Sequence, residues 1–145
     1  MSPPQDLAPD DVQVGAELPA VGYALPVYRL VMEAGANRDF NSIHHNSDYA
    51  RGTGAPDMYA NTLFLMGMWE RVVRDWVGPS ALITAVRGFR MGRFTLAGST
   101  VTVRGTVTAV ERATGLVTVQ MSSSDEQGTT VGPGEVDVRL RLPGA

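Results

Sequence analysis

The sequence predicts an α+β domain in which one long apolar helix lies against a curved antiparallel sheet. Three observations predict it. A proline-free stretch, Ala60 to Trp76, carries Leu65, Trp69, Val72 and Trp76 at spacings of four, three and four, which is one helical stripe. Later segments alternate apolar and polar residues with period two, the mark of half-buried antiparallel strands. The first half of the helix, Leu63 to Trp69, is apolar nearly all round, so a sheet must wrap it.

The elements follow in chain order. Residues 1–10 read as a flexible tail and residues 11–145 as a single domain. Gly15 to Leu25 reads as an irregular lead-in, Pro26 to Tyr28 as a short strand and Arg29 to Asn37 as a short helix. Ser47 to Arg51 fits one helical turn with Ser47 as its cap, and Gly52 to Pro56 breaks the chain. In the long helix Glu70 and Arg74 form a solvent-side pair, Asp57 is a candidate cap and Gly78-Pro79 is the stop. Ala81 to Val86 is β-rich. Val101 to Ala109, Val117 to Met121 and Val136 to Leu142 alternate as strands, with a hairpin turn at Ala113-Thr114-Gly115. Gly105 marks a bulge or bend.

Composition removes several classes of function. Of 145 residues, 43% are hydrophobic and 19% charged, an ordinary globular balance that excludes a disordered chain. No apolar run approaches the ~18 residues of a membrane span. The polar, acidic start lacks the basic and apolar regions of a signal peptide, so a cytoplasmic protein is expected. Without cysteine there is no disulfide framework, thiolate zinc site or thiol nucleophile. A net charge of -3 disfavours nucleic acid as a partner. All 12 basic residues are arginine, which rules out lysine Schiff-base chemistry and leaves guanidinium forks suited to phosphates and carboxylates. A domain this small has little room for a deep private pocket, which a shared pocket at a dimer interface would supply.

The chemistry-bearing residues gather in Asp39-Phe40-Asn41-Ser42-Ile43-His44-His45, which holds both histidines of the chain. Phe40 and Ile43 would anchor the segment by packing, as a positioned catalytic group requires. A carboxylate and an imidazole converging on one water can take one proton and deliver another. The plainer reading, turn and cap residues before a short helix, stays open at this point. No metal site is expected, because a third ligand is not evident, and no serine sits in a nucleophile elbow.

The pattern Asp-x-Asn-x-x-His, here Asp39, Asn41 and His44, resembles the hydratase motif of the MaoC-like (R)-specific enoyl-CoA hydratases. Pro56 and the following apolar helix match the order of that family, and the resemblance covers about residues 27–110. It implies the hotdog fold, a curved antiparallel sheet around one long helix. It implies an enoyl-CoA hydratase, a hydro-lyase that needs no cofactor because coenzyme A belongs to the substrate. Asp39 and His44 would then be catalytic, with Asn41 ordering the loop or the water. Family members carry His-Gly-Met at the helix start, where the glycine N–H binds the thioester carbonyl. Tyr59-Ala60-Asn61 stands there instead, so the resemblance makes the Ala60 N–H the oxyanion donor and places Tyr59 at the substrate. Gly54 to Asn61 and Asp75 to Pro79 resemble the short actinobacterial subunits of heteromeric hydratases for steroid side-chain thioesters. A homodimer, or a heteromer with a second MaoC-like chain, is therefore expected.

Arg87, Arg90 and Arg93, spaced by three around Gly88 and Gly92, are candidates for the phosphates of coenzyme A, against the reading of a solvated strand edge. Met58, Met66, Met68 and Met91 could line a lipid or steroid pocket, though core filling is the commoner use of methionine. A non-catalytic acyl-CoA-binding subunit is the alternative function. A thioesterase ranks low, because Glu70 lies late in the helix on an exposed face.

Overall fold

A computed structural model describes residues 6–144. Its five strands, β1 (Val21–Ala24), β2 (Leu82–Arg87), β3 (Thr100–Glu111), β4 (Leu116–Asp125) and β5 (Gly128–Arg139), form one sheet in the order β1-β3-β4-β5-β2. Every neighbouring pair is antiparallel. The helices are α1 (Val27–Ala36), α2 (Ser47–Gly52) and α3 (Thr62–Val77). Leu65, Met68, Trp69, Val72, Val73 and Val77 of α3 are buried and share one cluster with the inward valines of β3, β4 and β5. Burying each such side chain stabilises by about 1.5–3 kcal/mol, so the core lies between α3 and the concave sheet. Trp69 is fully buried, and its indole N–H donates to Ser123 Oγ of β4 at 2.8 Å.

The period-two strands stand where expected except the last, which runs from Gly128 and stops at Arg139, short of Leu140 and Leu142; the hairpin turn falls at Gly115 with φ +72. Gly105 pairs in regular register with Met121, and the β3 irregularity falls later, between Val107 and Ala109. Gly105 is needed for space: a Cβ there would meet the Met121 sulfur at 2.6 Å and Val119 Cγ1 at 3.0 Å.

Four expectations are corrected. The lead-in contains β1, which pairs with β3 from Val21↔Val103 to Ala24↔Thr100. Pro26-Val27-Tyr28 is not a strand: Pro26 is the N-cap position of α1 and Val27 its first residue. The fixed φ of proline suits a helix start, where its missing N–H costs nothing. Of the expected tail, residues 1–5 lie outside the described residues, and residues 6–10 are docked. The Leu7 N–H donates to the Val77 carbonyl at 3.0 Å, and Asp6 accepts from the Ser80 N–H and hydroxyl at 3.0 and 2.6 Å. Finally, α3 is less enclosed than its sequence suggests, since Leu63 is 57% exposed and Gly67 faces open space. Among the described residues, no helix is long and apolar enough to cross a membrane.

Candidate active site

The site begins where α1 stops. Asn37 is the C-cap, and Arg38 follows in the left-handed region with φ +56. The Arg38 N–H donates to the Gly35 carbonyl at 3.1 Å and the Asp39 N–H to the Ala34 carbonyl at 2.8 Å. This pair is the Schellman termination, usually built on glycine. It fixes the Asp39 backbone at a cost of about 1–2 kcal/mol for a side chain in that region. Asn41 Oδ1 then accepts from the Ile43 N–H at 3.2 Å, capping a single 3-10 turn, Ser42–His44. The Asn41 N–H donates to Asp39 Oδ1 at 3.4 Å. Asn41 thus orders the loop. Phe40 is 73% exposed, so hydrogen bonds rather than the expected aromatic packing pin this segment.

These turns bring Asp39 and His44 together, with Nε2 of His44 3.0 Å from Asp39 Oδ2. The other ring nitrogen, Nδ1, lies 2.7 Å from the Tyr59 carbonyl oxygen. A carbonyl only accepts, so Nδ1 carries a proton and donates it there. Nε2 is therefore the nitrogen left to exchange protons, and it faces the carboxylate. The His44 side chain is 7% exposed and that of Asp39 38%, which leaves one covered and one wet member of the pair. The Tyr59 ring meets His44 edge-on at 5.5 Å and Phe94 at 4.7 Å. His45 is exposed and stands apart from the pair.

Between the pair and α3, asparagine side chains do the capping. Asn46, not Ser47, caps α2, accepting from the Tyr49 N–H at 2.9 Å. Asn61, not Asp57, caps α3, accepting from the Phe64 N–H at 2.8 Å. Asp57 accepts from its neighbour Met58 and pairs with Arg51 at 3.1 Å. Both caps were findable, since asparagine before a helix-forming run is a start signal. The Ala60 N–H donates to the Thr95 carbonyl at 2.9 Å. It lies ahead of the helix cap, so the position expected to supply the oxyanion donor makes a backbone hydrogen bond in this structure.

Two hollows flank this segment. One of about 490 Å³ is walled by Tyr59, Leu65, Met91 and Phe94, with Arg93 and Gln127 also lining it. The other, about 340 Å³, runs between α1 and α3, where Asn37, Phe64, Gly67 and Met68 line it. Met68 is core and Met91 is 46% exposed. Among the described residues, no group of three or more metal-ligating side chains is gathered.

The three arginines do not act as a set. Arg87 forks onto Asp137, with Nη2 3.0 Å from Oδ1 and Nη1 against Oδ2, and reaches Glu135 at 2.9 Å. These carboxylates raise the Arg87 guanidinium above its ordinary range, and the same contact holds Asp137 below the usual carboxylate value. Arg93 is tied to Asp125 at 3.2 Å and Gln127 at 2.7 Å. Both guanidinium groups, expected at the phosphates of coenzyme A, form side-chain pairs within the chain. Arg90, the third of the trio, is exposed.

A sheet curled round one helix, with an Asp-His pair on the segment ahead of that helix, defines a MaoC-like hotdog protein. The chain belongs to the MaoC-like hydratase family. It is 42% identical over 119 residues to the 3-oxo-4,17-pregnadiene-20-carboxyl-CoA hydratase beta subunit of Mycobacterium tuberculosis, covering 81% of this chain and 89% of that one. A chain of the ChsH1-ChsH2 complex from Mycobacterium tuberculosis superposes with a TM-score of 0.84 at 38% identity, covering 90% of this chain and 99% of that one. The (R)-hydratase from A. caviae involved in PHA biosynthesis shares the fold, with a TM-score of 0.82 at 18% identity over 90% of this chain and 98% of that one. No protein-family model matches the chain.

Proposed function

We propose that this chain is an enoyl-CoA hydratase subunit that adds water across the double bond of a trans-2-enoyl-CoA. The observation that carries the reading is the Asp39–His44 pair, closed at 3.0 Å with its far nitrogen tied to the Tyr59 carbonyl. Bound against the pair, a water loses a proton to it as its oxygen bonds to C3. The π electrons move through C2 onto the thioester oxygen, and C2 then takes a proton from the pair. One water is consumed and the pair ends in its starting state. Asn41 keeps the loop in place and is a positioning residue.

The acyl group we assign to the steroid side-chain class, on the name of the relative at 42% identity. The same name, with the complex formed by the chain at 38% identity, supports a heteromer with a second MaoC-like chain. Both hollows lie open at the surface, and Tyr28, Met32 and Phe40 are exposed nearby in sequence. The formed pair favours catalysis over a purely structural subunit, which would need neither residue. Glu70 is half-exposed and paired with Arg74 at 2.7 Å, which does not suit a thioesterase carboxylate.

The test is hydration of short, long and steroid side-chain enoyl-CoA thioesters, followed by loss of enoyl thioester absorbance. Activity of the wild type that disappears in Asp39→Asn is expected. Equal activity of that variant overturns the site assignment. Size-exclusion chromatography of the chain alone and with a second MaoC-like chain tests the assembly, and a stable, active monomer contradicts it.

A further inference from the structure

Glycine stands at position 67, inside the 16-residue helix α3, and nothing in the fold asks for it. Its backbone is helical, not left-handed. A Cβ placed there would meet nothing within 4 Å, so no neighbour excludes a side chain. An interior helical glycine is less stable than alanine at the same place, because more backbone freedom is lost on folding. The missing side chain weakens the helix and serves no contact among the described residues.

What the glycine leaves is room. Phe64, Gly67, Met68 and Arg71 recur at i, i+3, i+4 and i+7, which is one face of α3, and all four line the hollow of about 340 Å³ between α1 and α3. Glu33 of α1 and its C-cap Asn37 line it from the other helix. Position 67 is the gap in the α3 row, since its three companions carry long side chains. The hollow reaches the candidate site at Asn37, which lies two residues before Asp39 and donates from Nδ2 to Asn61 Oδ1 at 3.4 Å. From the Asn61 cap the helix runs through Phe64 to Gly67, which lies about one turn, ~5 Å, further along. Arg71 ends the row, its Nε held by Asp75 Oδ2 at 2.7 Å. The larger hollow has its own glycine, Gly92, but outside any helix, where no helical stability is given up.

We propose that Gly67 is a specificity-determining residue: it widens the hollow between α1 and α3 so that a rigid, fused-ring acyl group fits along α3. The inference rests on the hydratase reading and on the steroid side-chain class assigned to its substrate. A flexible acyl chain bends round a methyl group at position 67, while fused rings have no torsions with which to do so. Leu63, Phe64 and Met68 supply the apolar lining that the rings cover.

Gly67→Ala and Gly67→Leu test this in the full chain, assayed in the assembly it forms. Gly67→Ala is expected to melt about 2–4 °C higher, because alanine favours the helix and its methyl group meets nothing. A lower melting temperature would mean that the fold itself needs the glycine, and overturns the assignment. With a steroid side-chain enoyl-CoA, kcat/KM falls about 10-fold in Gly67→Ala and about 100-fold in Gly67→Leu, the range for small changes of fit in an apolar pocket. With crotonyl-CoA both variants stay within about 2-fold of the wild type. Binding gives a readout without turnover. The Kd for the saturated steroid side-chain acyl-CoA rises by the same factors, and that for butyryl-CoA does not move. Variants that keep the wild-type ratio between the two substrates overturn the assignment, whether they retain both or lose both, as they would if Gly67 served only to seat a partner chain. So does a wild type that binds the steroid thioester no better than butyryl-CoA, even where it hydrates crotonyl-CoA. A wild type that prefers the steroid thioester in binding, loses that preference in Gly67→Leu and hydrates neither substrate defeats the hydratase reading and leaves the Gly67 assignment standing.

Discussion

The sheet and the segment 37–61 are built on different rules. In β3, β4 and β5, side chains alternate between core and surface, and the energy comes from burying valines against α3. In residues 37–61 most of the order comes from local hydrogen bonds: the backbone pair that ends α1, then the side chains of Asn41, Asn46 and Asn61 as successive caps. Burial forgives local detail as long as volume and pattern hold. Hydrogen-bonded turns do not, because each places one particular atom. The candidate site sits on the second kind of structure while the first holds its ends.

The sharpest way to break this contrast is to damage each region once. Trp69→Ala should cost about 3–5 kcal/mol, from the lost burial and the Ser123 contact, and would be read as a lower denaturant midpoint. Asp39→Asn should lose about 10²–10⁴ in turnover while the denaturation curve stays in place. If Asp39→Asn instead unfolds the protein, the two regions are not separable.

Next in size is Gly105→Ala. The added Cβ would meet Met121, Val119 and Leu18, so a loss of about 1–3 kcal/mol is expected in urea unfolding.

A smaller effect tests the outer face of the sheet. Asp137 is held below its ordinary range chiefly by Arg87, against the opposing effect of burial. A carboxylate lowered on folding stabilises above its unfolded value and loses that contribution as pH falls through its folded one. Asp137→Asn should therefore lower the melting temperature at pH 7, and the gap to wild type should close below about pH 4. At neutral pH the cost should be about 1 kcal/mol, because the Arg87 side chain is 49% exposed and solvent screens the pair.

Smallest, and opposite in sign, is Arg38→Gly. Relieving φ +56 should raise stability by about 0.5–1 kcal/mol, measured as a higher urea midpoint.

How much of this was legible in the sequence follows the same division. The stripe through Leu65, Trp69 and Val72 and the valine alternation gave the helix and the sheet, because periodicity reports burial directly. β1 was hidden because its four residues, Val-Gly-Tyr-Ala, are too few for a period to show. Asp39, Asn41 and His44 stood out through their spacing, and Asp39 does close on His44, at 3.0 Å. Phe40 misled because its hydrophobicity suggested an anchor where backbone bonds suffice. The partners of Arg87 and Arg93 were not legible, because spacing reveals a charge but not what it pairs with: Asp137 lies 50 residues away from one and Asp125 lies 32 from the other. The hydrogen bond of the Ala60 N–H was not legible either, because its acceptor, Thr95, lies far along the chain.

The covered His44 and the wetter Asp39 have a consequence for isotopes. Nδ1 is closed off by the Tyr59 carbonyl, so Nε2 trades protons with bulk water chiefly across the Asp39 carboxylate or through whatever molecule is bound against it. A bound acyl group covering that carboxylate would slow the exchange. In the proposed reaction, a hydrogen carried in on labelled water would then reach C2 before it washes out, and a single turnover in ordinary buffer would retain part of the label.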